Sequence, residues 1–358
     1  MKQTPSINAT LLIAVLSLAI ILLLPHFVHD KYYLCVLSFV AIYTILVVGL
    51  NLLMGYAGQV SLGHAAFYAM GAYTSAILTT QYHLSSWLAM LIGVCLTAGI
   101  AYLVGVPCLR LRGHYLAMAT LGFGWIVYIV LLHWDITGGT SGIQGMPNLS
   151  IGLPLLSNQA GHFHLAWSNL LVFDNDERHF YLTWAFALVI LIISANVVSS
   201  RVGRALRALH GSELAAATLG INVARYKVQV FVLSAAYASI AGSLYAHTVH
   251  SISPSLFGFT FSVSLVVMVV VGGMASVWGA LLGAFSMTML VEWLRTIGQS
   301  VPSLREFDVI AHGIILMLVM IFMPSGLFVT IRDGFARLFR RRTPQPLPAP
   351  PAKEVALP

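Results

Sequence analysis

The chain has 358 residues, of which 59% are hydrophobic and only 8% are charged. Because soluble domains carry about 25% charged residues, this composition excludes an ordinary soluble domain and indicates a membrane protein. The net charge of +7 does not indicate a nucleic-acid partner, since the basic residues flank apolar segments instead of clustering on a polar domain.

Apolar runs of the length needed to cross about 30 Å of hydrocarbon predict about ten transmembrane helices. In chain order the predicted spans are residues 10–28, 33–54, 60–80, 86–106, 114–133, 181–199, 229–250, 258–275, 278–295 and 308–326. The first run is longer than the core of a signal peptide and lacks a small-residue cleavage pattern before Lys31, so we interpret it as a retained span. The predicted fold class is an all-α integral membrane protein.

The distribution of basic residues predicts the orientation. With the N-terminus in the cytoplasm and the sides alternating, 14 of the 18 Lys and Arg residues fall inside. The four outside are Lys31, Arg178, Arg295 and Arg305. This positive-inside bias places both termini in the cytoplasm.

The domain organisation follows from the same pattern. Residues 1–339 form the predicted transmembrane domain, with an external loop at 135–180 and a cytoplasmic loop at 200–228. Residues 340–358 form a proline-rich cytoplasmic tail without an apolar face, which is typical of a disordered or polyproline-like segment.

The chemistry of an enzyme is hard to find in this chain. A membrane acyltransferase would need a clustered His/Asp or Glu pair, and the nearest such pair, His133 and Asp135, has no supporting groups. None of the four lysines follows a glycine, so the chain lacks a phosphate-binding loop of its own. We therefore predict no catalytic residues, and we expect any nucleotide to be bound by another polypeptide.

The carboxylates and histidines of the chain give little support to an ion-coupled carrier or to a metal-binding protein. Ion-coupled carriers usually keep an ionisable group within the membrane, and Glu292 is the acidic residue nearest to the middle of a predicted span. A stand-alone carrier or channel is therefore disfavoured. His162, His164 and His179 in the external loop, and His247 with His250, lack a further ligand at a recognised spacing. We predict no metal site and no bound cofactor.

A polar insert interrupts the apolar runs between Gly211 and Val228. Ser212 is a suitable N-cap, Glu213 favours the first turn of a helix, and Gly220 is a natural stop. The insert therefore predicts a helix of about two turns on the cytoplasmic side. Spacing alone leaves two interpretations open, a docking helix for another protein or an amphipathic helix on the bilayer surface.

The insert resembles the cytoplasmic "EAA" loop of ABC-transporter permeases. The matching residues are Glu213, Ala215, Ala216, Gly220 and Ile221. The Glu-to-Gly spacing is one residue longer than is usual in that family and the later Leu-Pro is missing, and both departures resemble the branched-chain amino-acid branch. The resemblance implies that this loop is a coupling helix that docks on the ATPase.

Other stretches resemble the same branch, in the same order along the chain. Gly55-Tyr-Ala-Gly-Gln-Val-Ser-Leu-Gly-His-Ala-Ala-Phe67 is similar to its N-terminal signature. Residues 110–120 and 137–143 are similar to LivM-type rather than LivH-type subunits. The resemblance implies a heteromeric importer in the inner membrane, with a second, LivH-type permease, two ATPases that bind ATP and Mg²⁺, and a periplasmic binding protein. Its implied cargo is a hydrophobic amino acid, with urea or short amides as the alternative.

Two Gly-rich segments are the candidate contact sites. We expect the substrate pathway to include Gly55, Gly58, Gln59, Ser61, Gly63 and His64, because an interrupted helix exposes backbone groups to a zwitterionic head. The alternative is that these small residues only permit close helix packing. The candidates for the outer gate or the binding-protein contact are Thr137, Gly138, Gly139 and Gly142, for which an ordinary turn is the alternative.

Overall fold

The architecture is a bundle of α-helices, given by a computed structural model that describes residues 30–111, 113–147 and 175–300. The helices are α1 (Lys31–Asn51), continued by a π-helical turn (Leu52–Tyr56), α2 (His64–Thr80), α3 (Ser86–Cys108), α4 (His114–His133), α5 (Asn175–Ser199), α6 (Arg201–Gly211), α7 (Glu213–Thr218), α8 (Val223–Val249), α9 (Phe259–Gly272) and α10 (Val277–Ser300). In the described part of the chain, short 3₁₀ turns cover Asp135–Thr137, Gly139–Ser141 and Pro254–Phe257. Two short strands, β1 (Ile143–Gln144) and β2 (Ser251–Ile252), pair antiparallel.

Within the described residues, six segments are long and apolar enough to cross a membrane. They are Lys31–Tyr56, Ser86–Cys108, His114–His133, Glu177–Ser199, Val223–Val249 and Val277–Thr296. They correspond to the predicted spans 33–54, 86–106, 114–133, 181–199, 229–250 and 278–295 and confirm an all-α membrane protein. The predicted spans 10–28 and 308–326 lie outside the described residues, so the count of about ten helices stays a prediction.

The two other predicted spans are shorter than the sequence indicated. α2 has 17 residues and begins at His64 rather than at residue 60. α9 has 14 residues and covers less than the predicted 258–275. Since a spanning helix has about 17–25 residues, α9 falls short of a full crossing and α2 stands at the lower limit. Both begin directly after a glycine, Gly63 and Gly258 respectively.

The centre of the bundle is formed by α1, α2 and α8. In the most apolar stretch of Lys31–Tyr56, 78% of the residues are buried, whereas in that of α4 only 17% are buried. α4 therefore lies at the periphery of the bundle. Small residues allow α2 and α8 to approach closely: an added Cβ at Gly71 would lie 2.2 Å from the Ser239 oxygen, and one at Gly242 would lie 2.1 Å from the Tyr68 oxygen. Such contacts are the usual basis of helix packing in membranes.

Contacts between the helix ends show which ends lie together at each end of the bundle. At one end, which we call the basic end, the π-helical turn meets α6 and the turn before α10. The described basic residues at this end are Arg110, Arg201, Arg204, Arg207, Arg225 and Lys227. At the opposite end Tyr32 donates a hydrogen bond to Glu292, and β1 pairs with β2. Lys31, Arg178 and Arg295 lie at that end.

Candidate functional site

The chain is non-helical between α1 and α2, and the break is held by contacts to distant elements. The Gln59 N–H donates to the Leu53 carbonyl over 3.0 Å, which closes the turn that follows the π-helix. Asn51, at the end of α1, donates to the Ser276 carbonyl and accepts from the Ala275 N–H, at 2.7 and 3.0 Å. The break is therefore an ordered part of the bundle.

The three glycines predicted for the substrate pathway each allow a different element to approach. A Cβ added at Gly55 would lie 2.4 Å from the Ala275 backbone nitrogen, and one added at Gly58 would lie 2.9 Å from His210 Nδ1. A Cβ added at Gly63 would lie 2.0 Å from the Thr120 carbonyl oxygen. Gly58 also has φ +69°, which L side chains rarely adopt. These contacts join the break to the turn before α10, to α6 and to α4.

The three polar residues predicted for the pathway are all buried. Gln59, Ser61 and His64 are 3%, 2% and 1% exposed. His64 Nε2 lies 3.3 Å from Ser234 Oγ, near the middle of α8. Gly63, the residue before His64, lies beside Gly124 in the middle of α4. α2 therefore begins about half-way between the two ends of the bundle.

The first turns of α2 and α9 meet at this depth. The Ala65 N–H donates to Ser262 Oγ over 3.3 Å. A small open pocket lies between these two turns and the middle of α4. Its lining residues are Leu62, Ala65, Ala66, Leu121, Gly124, Trp125, Tyr128, Phe257, Gly258, Phe259 and Ser262. The lining is mostly apolar, and its side chains with polar atoms are those of Trp125, Tyr128 and Ser262.

The predicted cytoplasmic loop at 200–228 contains α6, α7 and the start of α8, and each of these helices has a side-chain N-cap. Ser200 accepts from the Val202 N–H at the start of α6, Ser212 from the Ala215 N–H at the start of α7, and Asn222 from the Arg225 N–H at the start of α8. Gly220 has φ +82°, and its N–H donates to the Ala217 carbonyl. The N-cap at Ser212 and the stop at Gly220 are confirmed, since both local signals operate within a few residues.

The side chains of α7 divide between an attached face and an exposed face. Glu213 forms an ion pair with Lys227, which is 4% exposed, and Ala216 is buried at 2%. Leu214 and Leu219 are 77% and 78% exposed. Of the residues predicted for coupling, Ala215 and Gly220 lie on the exposed surface, Ile221 is half-buried and Ala216 faces the protein's own core. Sequence reasoning did not single out Leu214 and Leu219, because the local sequence does not show which face of α7 points outward.

Residues 32–324 match the model of a family described as the branched-chain amino acid transport system permease component. The chain belongs to this permease family. The matched region includes the break between α1 and α2 and the whole of the capped insert.

Individual relatives of the permease carry the same description. This chain is 35% identical over 298 residues to the permease protein LivM of Escherichia coli strain K12, and the match covers 81% of this chain and 68% of the relative. It is 24% identical over 294 residues to LivH of Salmonella typhimurium, covering 80% and 90%, and 25% identical over 299 residues to BraD of Pseudomonas aeruginosa, covering 80% and 91%. Both are named as high-affinity branched-chain amino acid transport system permease proteins. No solved structure matches the chain.

The residues that the sequence suggested for an outer contact form a tight turn in the permease. Thr137 is buried at 1% and its hydroxyl donates to the Leu131 and Trp134 carbonyls, both at 2.6 Å. An added Cβ at Gly142 would lie 1.9 Å from the Ile252 oxygen, directly beside the β1–β2 pair. Gly138 and Gly139 both have positive φ. This geometry gives the segment a structural role, and its contact with a binding protein stays a prediction.

Three histidines meet at the opposite end of the permease. His247 Nδ1–H donates to the Pro147 carbonyl over 2.8 Å, and Nε2 lies 2.9 Å from Ser75 Oγ. His250 Nδ1–H donates to the Met146 carbonyl, and its ring lies 6.1 Å from that of His179. Among the described residues, no group of three His, Cys, Asp or Glu could hold a metal ion. The described histidine contacts instead fix the segment that follows β1.

Proposed function

We propose that this permease is one of two different membrane subunits of a binding-protein-dependent ABC importer for branched-chain amino acids. The other components would be a second, LivH-type permease, two cytoplasmic ATPases that bind ATP and Mg²⁺, and a periplasmic binding protein. The names of the LivM, LivH and BraD relatives support this cargo and this type of system. The chain would act in the inner membrane as a transport subunit without catalytic residues.

The orientation in this proposal places the basic end in the cytoplasm. Six of the described basic residues lie at that end, and three lie at the opposite end. This asymmetry agrees with the positive-inside rule. Both chain termini would then be cytoplasmic, and β1, β2 and the three histidines would face the periplasm.

The observation that carries the coupling role is the exposed face of α7. Leu214 and Leu219 are more than three-quarters exposed at the basic end, on a helix whose caps and ion pair fix its position. Exposed apolar side chains at the end of a membrane protein mark contact with another protein or with the bilayer surface. We assign this face to the ATPase, in keeping with the resemblance to the EAA loop.

Contacts of the insert suggest how an ATPase would move the permease. The Glu213–Lys227 pair attaches α7 to α8, and His210 at the end of α6 touches Gly58 in the break. Closure of the ATPases would displace α7, and α8 and the break would move with it. Such rigid-body displacement would open the pathway alternately to the two sides of the membrane.

Co-purification tests the docking face. We expect Leu214→Ser and Leu219→Ser to reduce retention of the ATPase subunits on a tagged permease and to leave its thermal stability unchanged, because both side chains are exposed. Leu256→Ser is the matched control, since Leu256 is 42% exposed and belongs to the 3₁₀ turn before α9. Full ATPase retention by the double Leu214→Ser, Leu219→Ser variant would contradict the assignment.

Transport assays test the cargo. In proteoliposomes that contain the complete importer, we expect ATP-driven uptake of leucine and none of urea. Uptake of urea without leucine would replace the proposed cargo by the amide alternative and leave the coupling role intact.

A further inference from the structure

A buried histidine joins three elements at the end of the bundle opposite the basic end. His247, in the last turn of α8, is 0% exposed. Its Nδ1 lies 2.8 Å from the Pro147 carbonyl, which can only accept a hydrogen bond, so Nδ1 carries the proton. Its Nε2 lies 2.9 Å from Ser75 Oγ of α2 and, in the neutral ring, accepts from that hydroxyl. The neutral ring therefore uses both nitrogens to hold α2 and the segment after β1 on α8.

A second histidine binds the same segment from the end of α8. The His250 carbonyl accepts from the Gly145 N–H over 3.1 Å, and His250 Nδ1–H donates to the Met146 carbonyl over 3.0 Å. His250 has φ +58°, a conformation that is uncommon for residues other than glycine. We call the contacts of His247 and His250 with Gly145–Pro147 the histidine clamp. The clamp attaches the start of the external loop to α8.

In the described part of the chain, the titratable groups that act on His247 are histidines as well. They are His250 and, on α5, His179, whose ring lies 6.1 Å from that of His250. α2 faces His247 with Ser75, and the segment Gly145–Pro147 has no ionisable side chain. A second proton on His247 would place a charge in a buried site beside two groups that can become positive in the same pH range. That charge is accommodated better once the clamp has opened and water reaches the ring.

We propose that the histidine clamp is an acid-sensitive device, which holds the start of the external loop on α8 and α2 at neutral pH and opens under mildly acidic conditions. The inference rests on the proposed function for its orientation, which turns the clamp toward the periplasm. α8 also carries Lys227, which pairs with Glu213 of α7. Opening would therefore detach the external loop from the helix that the ATPases move, and we expect transport to fall.

Hydrogen exchange of the full-length permease in nanodiscs tests the clamp. The reporter is the Gly145 amide, which is bonded to His250 while the clamp is closed. Its protection would be measured at about pH 7.5 and about pH 5.5, on either side of the usual histidine value, with correction for the exchange rate of an unfolded peptide at the same pH. His247→Asn keeps a donor near the position of Nδ1 and does not titrate. The matched control is His83→Asn, since His83 is an exposed histidine with φ +51° outside the clamp.

A histidine that takes up its proton only in the open state favours opening about tenfold at one pH unit below its usual value. We therefore expect the protection of Gly145 to fall about tenfold between the two pH values in the wild type and in His83→Asn, and to stay nearly constant in His247→Asn. No fall in the wild type, or an equal fall in His247→Asn, would overturn the clamp.

A second variant decides the matter if His247→Asn is already unprotected at neutral pH. His250→Asn keeps a donor and suits the left-handed backbone, which asparagine adopts more often than most residues. It removes one of the groups that become positive, so the fall in protection should be smaller than in the wild type. A fall as large as that of the wild type would overturn the clamp.

Leucine uptake by the complete importer separates this inference from the proposed function. We expect uptake to fall more steeply with acid in the wild type than in His247→Asn. Equal loss in both would overturn the link between the clamp and transport. Absence of leucine uptake at both pH values would contradict the proposed cargo, whereas the exchange of the Gly145 amide would still test the clamp.

Discussion

Replacement of Glu213 by glutamine is expected to loosen α7 from α8. Lys227 is 4% exposed, and the side chain of its partner Glu213 is 32% exposed. Leaving a fully buried charge unpaired costs about 3–5 kcal/mol, whereas a surface pair contributes about 0–1 kcal/mol. With one buried and one partly exposed partner, we expect about 2 kcal/mol, which shifts the ratio of attached to detached α7 by roughly 30-fold.

The assay is ATP hydrolysis stimulated by loaded binding protein in the reconstituted importer. Glu213→Gln should reduce the stimulation because α7 no longer moves with α8. Lys227→Met removes the cation that the first change leaves unpaired, so the double variant should recover part of the stimulation lost by Glu213→Gln. If the effects of the two changes simply add, or if Glu213→Gln keeps full stimulation, the reasoning from the ion pair is refuted.

Two glycine contacts give further expectations. Gly58→Ala should cost about 1–2 kcal/mol of stability through the positive φ of this residue. It should also lower leucine transport more than ATP hydrolysis, which a measurement of leucine uptake per ATP hydrolysed would reveal. If the contact with His210 transmits motion, the double variant Gly58→Ala, His210→Ala should regain part of the lost uptake per ATP. Gly142→Ala should cost about 3 kcal/mol or more, because its Cβ overlaps the Ile252 oxygen, whereas Gly145→Ala should cost only about 1 kcal/mol, since no atom lies within 4 Å. Equal melting temperatures for these two would contradict the packing argument.

Local signals in the sequence predicted the capped insert and most of the spans. The predicted span 114–133 coincides with α4, and the cap at Ser212 and the stop at Gly220 depend only on neighbouring residues. The start of α8 at Val223 was missed because its apolar run begins later, although Asn222 supplies the N-cap. As a result, Lys227 was expected in the loop and lies instead within the helix.

The short helices could not be placed from local sequence because their starts depend on distant partners. The break before α2 needs Thr120 for the Leu62 N–H and for the close approach of Gly63. The first turn of α2 needs Ser262, which is almost 200 positions away in the chain. Hydropathy records only that these segments are apolar, so it predicted full spans where α2 and α9 begin inside the bundle.

The exposure of α7 was equally hidden from the sequence. A run of alanines has no apolar periodicity, so the pattern did not distinguish Ala216, which is buried, from Ala215 and Ala217, which are exposed. The orientation of the helix is fixed by the Glu213–Lys227 pair, which joins residues on two different helices. The chemical type of the insert was predictable, whereas its outward face was not.

The central claim is that α7 transmits work from a separate ATPase, and its most direct test is leucine uptake with and without that ATPase. Proteoliposomes would contain this permease, its second permease and the binding protein, with ATP on the cytoplasmic side in all samples. We expect accumulation of leucine against a gradient only when the ATPase subunits are present. Accumulation at the full rate in their absence would contradict the claim.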